Sequence, residues 1–269
     1  VQNDEGARLS GYVGVIATEW DGSFGRDAVR LIAGRDHDVV VVGTETVFRF
    51  PRHERAREAL PREVAALAEL GNADATVGAL LPDVLRDCSH APLGRSFVAQ
   101  RYLGGEPLPR ASVTAVGPMA YRFAAELARV LDALARTAIT PALRGALTQA
   151  PLRPTFDDLA KAVHDRIGSA EADAAFDAVL KLAAPRDVLV HGDFCGTNLR
   201  WDADETRLTG VLDWAQVHLG DPAYDVASVA DTYGWDLAAS VADAIARDDD
   251  ELLHRARAYA ATFPFQQAL

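Results

Sequence analysis

The stretch VLVHGDFCGTN, residues 188–198, together with the hairpin pattern downstream of it, constrains this chain more than any other. A short apolar run, mainly β-branched, ends in His191-Gly192-Asp193. A glycine-containing loop then leads to Asn198. From there NLRW and RLTGVLDW flank the turn DADET, the pattern of a β-hairpin whose second strand delivers Asp213. Strand ends fixed by a hairpin can bring Asp193, Asn198 and Asp213 to one point. One carboxylate plus one amide oxygen is a hard donor set that suits Mg²⁺, which keeps waters and takes further oxygens from substrate phosphates. The remaining carboxylate can then accept a proton from an attacking hydroxyl.

The rest of the chain sorts by periodicity. AVRLIA, DVVVVG and TVFRF, between residues 28 and 50, are separated by short polar breaks and predict an antiparallel meander. ERAREALPREVAALAEL predicts a helix with Val64, Leu67 and Leu70 on one face, and Pro61 predicts a late start or a kink. ALLPDVL and SFVAQRYL can complete a small sheet, and Gly104-Gly105-Glu106-Pro107 marks a break. Beyond it the pattern turns helical. MAYRFAAELARVLDALAR carries Phe123, Leu127, Val130, Leu131 and Leu134 at helical spacing. TFDDLAKAVHDRI opens with a variant of the capping box, and residues 223–265 are mostly helical. The fold class is therefore α+β, with two lobes around a cleft. Residues 1–99 form the smaller lobe, 100–105 a hinge, and 106–269 a mainly helical lobe with an embedded hairpin.

Charge narrows the partners. The net charge is −12, and from His191 onward fourteen acidic residues face five arginines, a field that disfavours nucleic acid and anionic membranes and favours cations. No apolar run is long enough to span a membrane and no secretion signal is visible. Cys88 and Cys195 are too few for a disulfide framework, which fits a cytoplasmic protein.

The ordered set His191-Gly192-Asp193, Asn198, Leu212-Asp213-Trp214, Gly220-Asp221-Pro222 and Asp225 resembles the aminoglycoside phosphotransferase family, antibiotic kinases with a protein-kinase-like fold. The C-terminal TFPFQQAL is especially similar to actinobacterial members. The resemblance covers the chain from about residue 28 onward and is diffuse between 105 and 185. It implies ATP or GTP and Mg²⁺ as cofactors, Asp193 as the catalytic residue at the acceptor hydroxyl, and Asn198 and Asp213 as metal ligands. His191, by contrast, reads as a structural residue that holds the catalytic loop through backbone hydrogen bonds, and Asp221 and Asp225 as residues that brace the loop and a helix start. Arg49 stands where the family commonly has the lysine that contacts the nucleotide phosphates, with Glu63 as its acidic partner. Arg keeps the charge but presents a planar fork in place of a compact ammonium. The glycine-rich loop is reduced to Gly34, and the base is expected against the connector at Gln100, Tyr102 and Leu103.

The acceptor implied is a small molecule, most simply a cationic antibiotic such as an aminoglycoside. A macrolide, a cationic peptide, a small metabolite such as choline or a sugar, and a catalytically impaired nucleotide-binding module are the alternatives. In DTYGWD, residues 231–236, Asp231 and Asp236 can receive ammonium groups, and Tyr233 and Trp235 can stack on a ring. The acidic run 248–251 reads as a solvated loop and lies outside the expected site.

Overall fold

The computed structural model describes residues 2–20, 29–107, 118–147, 156–182, 188–202, 207–245 and 249–269. Expected features at Ala28, at Thr155 of the capping box, at 203–206 of the DADET turn and at Asp248 lie outside the described residues.

The β-branched run of the N-terminal part becomes a five-stranded antiparallel sheet. Its strands are β1 (Val29–Ala33), β2 (His37–Val42), β3 (Thr46–Pro51), β4 (Val84–Asp87) and β5 (Val98–Arg101), in the order β1-β2-β3-β5-β4. Cross-strand partners share a face, so the register decides which side chains meet. Val40↔Phe48 and Phe48↔Ala99 put an aromatic layer of Phe48, Phe50 and Phe97 on one face. Val39↔Arg49 and Val47↔Gln100 put His37, Val39, Arg49, Val47 and Gln100 on the other.

The aromatic face is covered by a helix the sequence did not announce, α1 (Gln2–Glu19). Ile16 is fully buried there, and Tyr12 stacks on Phe50 with ring centroids 4.2 Å apart. Asp38, buried under α1, accepts from Arg8 Nη1 at 2.5 Å and from the Tyr12 hydroxyl at 2.9 Å. Burial and the neighbouring Asp38 push that hydroxyl up to about 12.

α2 (Glu54–Ala73) begins directly after β3. His53 caps it by accepting the Ala56 amide at 3.2 Å, so it neither waits for Pro61 nor stops there. The one hydrogen bond that the proline cannot donate is outweighed by a helix face buried along most of its length, including Leu60, Leu67 and Leu70. Val64, expected on that face, is only partly buried.

A short helix, α3 (Ala75–Gly78), follows α2 before β4, and the C-terminal part comprises α4 (Pro118–Arg136), α5 (Pro141–Leu147), α6 (Phe156–Ile167), α7 (Ala170–Leu180), α8 (Ala223–Tyr233), α9 (Trp235–Ile245) and α10 (Leu252–Gln267). Two short antiparallel ladders are embedded in it: β6 (Val188–Val190) with β9 (His218–Gly220), and β7 (Leu199–Asp202) with β8 (Arg207–Val211). The periodic positions of α4 are all core, and Phe123 meets Trp201 of the hairpin edge-on at 5.0 Å. Among the described residues no helix is long and apolar enough to cross a membrane.

The segment joining the two parts is pinned to the hairpin. Glu106 and Trp201 exchange both backbone hydrogen bonds at 3.0 Å, and the Thr209 hydroxyl donates to Gly104 O at 2.9 Å. Gly105 has φ +98, and a Cβ there would lie 2.7 Å from Trp201 O, so glycine is required.

Candidate active site

β6 runs into the loop His191–Asn198 because a buried carboxylate in the first turn of α8 receives its backbone. Asp225 Oδ2 accepts the His191 amide at 2.7 Å and Oδ1 accepts the Gly192 amide at 2.9 Å. Burial pushes the Asp225 carboxyl up to about 7, against the opposing pull of those two amides. Gly192 turns with φ +79, and a Cβ would sit 2.5 Å from Gln216 O. The buried His191 ring joins two strand ends. Its Nδ1 accepts the Asp193 amide at 3.2 Å, which leaves Nε2–H to donate to Leu212 O at 3.1 Å. Asn198 Nδ2 donates to Asp193 O at 2.9 Å and to Asp193 Oδ2 at 3.1 Å. That orientation spends the amide nitrogen on Asp193 and keeps Oδ1 as the acceptor.

Asp213 lies just past β8, held in register by the Leu212 amide donating to Asn198 O at 2.8 Å. Its backbone is left-handed (φ 59, ψ 68), and it is the only non-glycine residue with positive φ among those described. A conformation of this kind persists only where its surroundings over-determine it, and such residues cluster at functional sites. The Asp213 side chain is 44% exposed, and Oδ1 lies 3.6 Å from Arg49 Nη2. Arg49 is ion-paired with Glu63 of α2, so β3, α2 and the segment after β8 meet at one guanidinium. Burial alone would lower the Arg49 pKa, but Glu63 and Asp213 more than reverse this and keep it cationic. Burial pushes the Glu63 carboxyl up, and Arg49 opposes that shift.

The structure thus brings Asp193 and Asn198 together, and Asp213, Arg49 and Glu63 together, with the Leu212–Asn198 bond joining the two groups. Gly34 sits in the β1–β2 turn, its carbonyl accepting from Arg52 Nη1 at 2.5 Å. A Cβ at Gly34 would collide with His37 O at 2.2 Å. Gln100 is buried on the same sheet face as Arg49, the Tyr102 amide donates to Glu45 O at 2.8 Å, and Leu103 lies against Gly210.

The acidic segment after α8 divides. Asp231 and Asp236 are exposed, and Thr232 accepts the Gly196 amide at 3.0 Å, so the segment touches the loop that carries Asp193. The expected stacking role of Tyr233 is corrected: it is 4% exposed, with its hydroxyl packed beneath Gly196. Trp235 is partly buried and already carries the Arg257 guanidinium 4.2 Å over its ring. Asp221 is bound in a two-pronged ion pair by Arg255 at 2.8 and 3.0 Å, a bracing role. Burial pushes the Cys195 thiol up, away from nucleophilic use. The residue that sequence reasoning missed is Arg62, whose buried guanidinium bonds the turn after Asp213. Its neighbour Glu63 was the only signal.

Among the described residues no group of three or more His, Cys, Asp or Glu side chains forms a metal cage. Asp213 and Asn198 do offer one carboxylate and one amide oxygen, which fits an ion that keeps water and phosphate oxygens in its shell.

A small antiparallel sheet over a helical part, with a buried Arg–Glu pair facing a loop carboxylate, defines a kinase-like phosphotransferase. The chain belongs to the phosphotransferase enzyme family APH, whose model matches residues 27–259. It is 28% identical over 240 residues to viomycin phosphotransferase of Streptomyces vinaceus, an alignment covering 86% of this chain and 82% of the relative. The same fold is seen in the GDP and kanamycin complex of APH(2")-IIIa, with a TM-score of 0.80, 20% identity, and coverage of 94% of this chain and 89% of that one. It is seen again in macrolide 2'-phosphotransferase MphH from Brachybacterium faecium, with a TM-score of 0.69, 20% identity, and coverage of 95% and 89%.

Proposed function

We propose that this protein is a nucleotide- and Mg²⁺-dependent O-phosphotransferase acting in the cytoplasm on a cationic small molecule, most simply an antibiotic. The observation that carries the reading is the cluster of Asp193, Asn198, Asp213 and Arg49 around one hairpin end. Asp193 is the residue that takes the proton of the acceptor hydroxyl, and its hydrogen bond from Asn198 fixes the carboxylate's orientation. Asp213 and Asn198 Oδ1 are the groups that would hold Mg²⁺, which when bound neutralises charge on the transferring phosphates. Arg49, oriented by Glu63, contributes positive charge toward the same phosphates. The base of ATP or GTP rests between the connector at Gln100, Tyr102 and Leu103 and the sheet face that carries the exposed Ile32, with Gly34 in the turn above the phosphates. Residues 100–105 act as the hinge between the two lobes.

Acceptor choice follows charge. Viomycin phosphotransferase is among the relatives, and the exposed Asp231 and Asp236 lie on the segment that touches the catalytic loop. Trp235, on the same segment, contributes a ring face on which the acceptor can stack, on the side away from Arg257, which lies 4.2 Å over it. The test is ATP and GTP consumption with aminoglycosides, cationic peptides and macrolides, repeated at rising salt and paired with a resistance panel in a susceptible host. Turnover of cationic acceptors, with a KM that rises as salt screens the field over a Debye length of roughly 8 Å, supports the reading. Efficient, salt-independent turnover of a macrolide overturns the acceptor assignment. Absence of turnover with every acceptor overturns the enzyme assignment.

A further inference from the structure

We propose that Arg62 is a positioning residue that fastens α2 to the turn following Asp213, so that the Arg49–Glu63 pair and the Asp213 carboxylate are carried as one body. The inference rests on the proposed phosphotransfer role of Asp213.

Arg62 is 1% exposed, an unusual place for a guanidinium. All three of its hydrogen-bond partners are main-chain carbonyls: Nη1 donates to Ala215 O at 3.0 Å, Nη2 to Val217 O at 2.5 Å and, more weakly, to Leu147 O at 3.4 Å. Ala215 lies within, and Val217 caps, the 3₁₀ turn Trp214–Gln216 that begins immediately after Asp213. Leu147 ends α5, so one side chain ties three elements. The approach is close because the facing residues are small, Ala56 and Ala59 of α2 against Ala215.

Glu63, the next residue of the same helix, bonds Arg49, and Arg49 in turn faces Asp213. The segment is therefore clamped from both sides. Upstream, the Leu212 amide is held by Asn198 O. Downstream, the carbonyls of residues 215 and 217 are held by Arg62. Between the clamps Asp213 keeps a left-handed backbone that a β-carbon residue otherwise avoids. Burying a guanidinium without a carboxylate opposite it is costly, and burial lowers its pKa. That cost is offset by a geometry in which α2 cannot swing away without also displacing the segment that follows Asp213.

The test is Arg62→Met, which keeps the stem and removes the donors, beside Arg62→Lys, which restores one. Both are assayed well below their thermal transitions. Arg62→Met is expected to raise the Mg²⁺ concentration for half-maximal rate and the nucleotide KM by about tenfold, with the acceptor KM changed by less than about twofold and partial recovery in Arg62→Lys. A variant that melts earlier but keeps the parent's Mg²⁺ and nucleotide requirements overturns the proposal. Should Arg62→Met fail to fold, the parent protein decides. Adding Mg²⁺ with ADP, and separately with GDP, should slow hydrogen exchange in α2 around residues 59–66 together with 213–217. Slowing confined to 213–217 overturns the coupling. An Asp213→Ala variant with unchanged Mg²⁺ dependence would sink the underlying functional reading, whereas an Arg62 failure alone leaves that reading standing.

Discussion

Removing the carboxylate of Asp225 tests whether one buried acid holds the loop that carries Asp193. The side chain is 2% exposed and gives one oxygen to each of two successive amides, at 2.7 and 2.9 Å. Asp225→Ala strands both amides away from water. At roughly 1–3 kcal/mol for each unsatisfied buried group, the expected loss is about 2–6 kcal/mol, a large part of the ~5–15 kcal/mol typical of a folded domain. Asp225→Asn keeps one acceptor and turns an NH₂ toward the second amide, so its loss should be about half as large. The two variants also separate by pH. Because the folded carboxyl is raised from 3.8 to about 7, the stability it contributes is complete below 3.8 and is lost as pH rises through about 7. Asparagine mimics the neutral acid and lacks this slope. The parent's lead over Asp225→Asn should therefore narrow over that interval by at most about 1.4 kcal/mol per pH unit. Urea unfolding from pH 4 to pH 8 measures it. Parallel profiles for parent and Asp225→Asn, or an alanine variant as stable as the asparagine one, would refute the loop-bracing argument.

The other expected outcomes concern the phosphate and acceptor sides. Asp213→Ala should impair Mg²⁺-dependent nucleotide binding more than Asn198→Ala, since a carboxylate neutralises charge and an amide supplies only a dipole; Mg²⁺ titration of both variants checks the order, and equal small losses would move the ion elsewhere. Arg49→Ala should raise the nucleotide KM, and Arg49→Lys should restore most of it, as steady-state kinetics would show; if both match the parent, Arg49 does not reach the phosphates. Asp231→Asn and Asp236→Asn should raise the KM of a polycationic acceptor, with smaller effects at high salt, and leave the nucleotide KM unchanged.

Much of this architecture was legible because it is written in periodicity. The meander, the α4 stripe from Phe123 to Leu134 and the 199–211 hairpin arise from two- and near-four-residue repeats that are local in sequence. The loop residues were legible as an ordered set of residue types, and the hydrogen bonds of Asp225 and His191 give physical content to the bracing expected of them. The features that stayed hidden depend on distant partners. α1 carries Leu9, Tyr12 and Ile16 at helical spacing, but Gly6, Gly11 and Gly14 mask the signal, and only the sheet's aromatic face makes the helix worth forming. Tyr233 has the composition of a binding aromatic, and its burial under Gly196 is set by the loop it faces. Arg62 obeys no pattern rule, because its partners are carbonyls about 85 to 155 residues away.

The central claim is that Asp193 handles the acceptor proton while Asp213 and Arg49 serve the phosphates. Single-turnover phosphoryl transfer by Asp193→Asn, with nucleotide affinity and unfolding measured on the same sample, tests it most directly. The expected result is a chemical step slowed by orders of magnitude, about 10²-fold or more, with nucleotide affinity and stability close to the parent's. Transfer within a few-fold of the parent, or a loss of rate that merely tracks a loss of nucleotide binding, would contradict it.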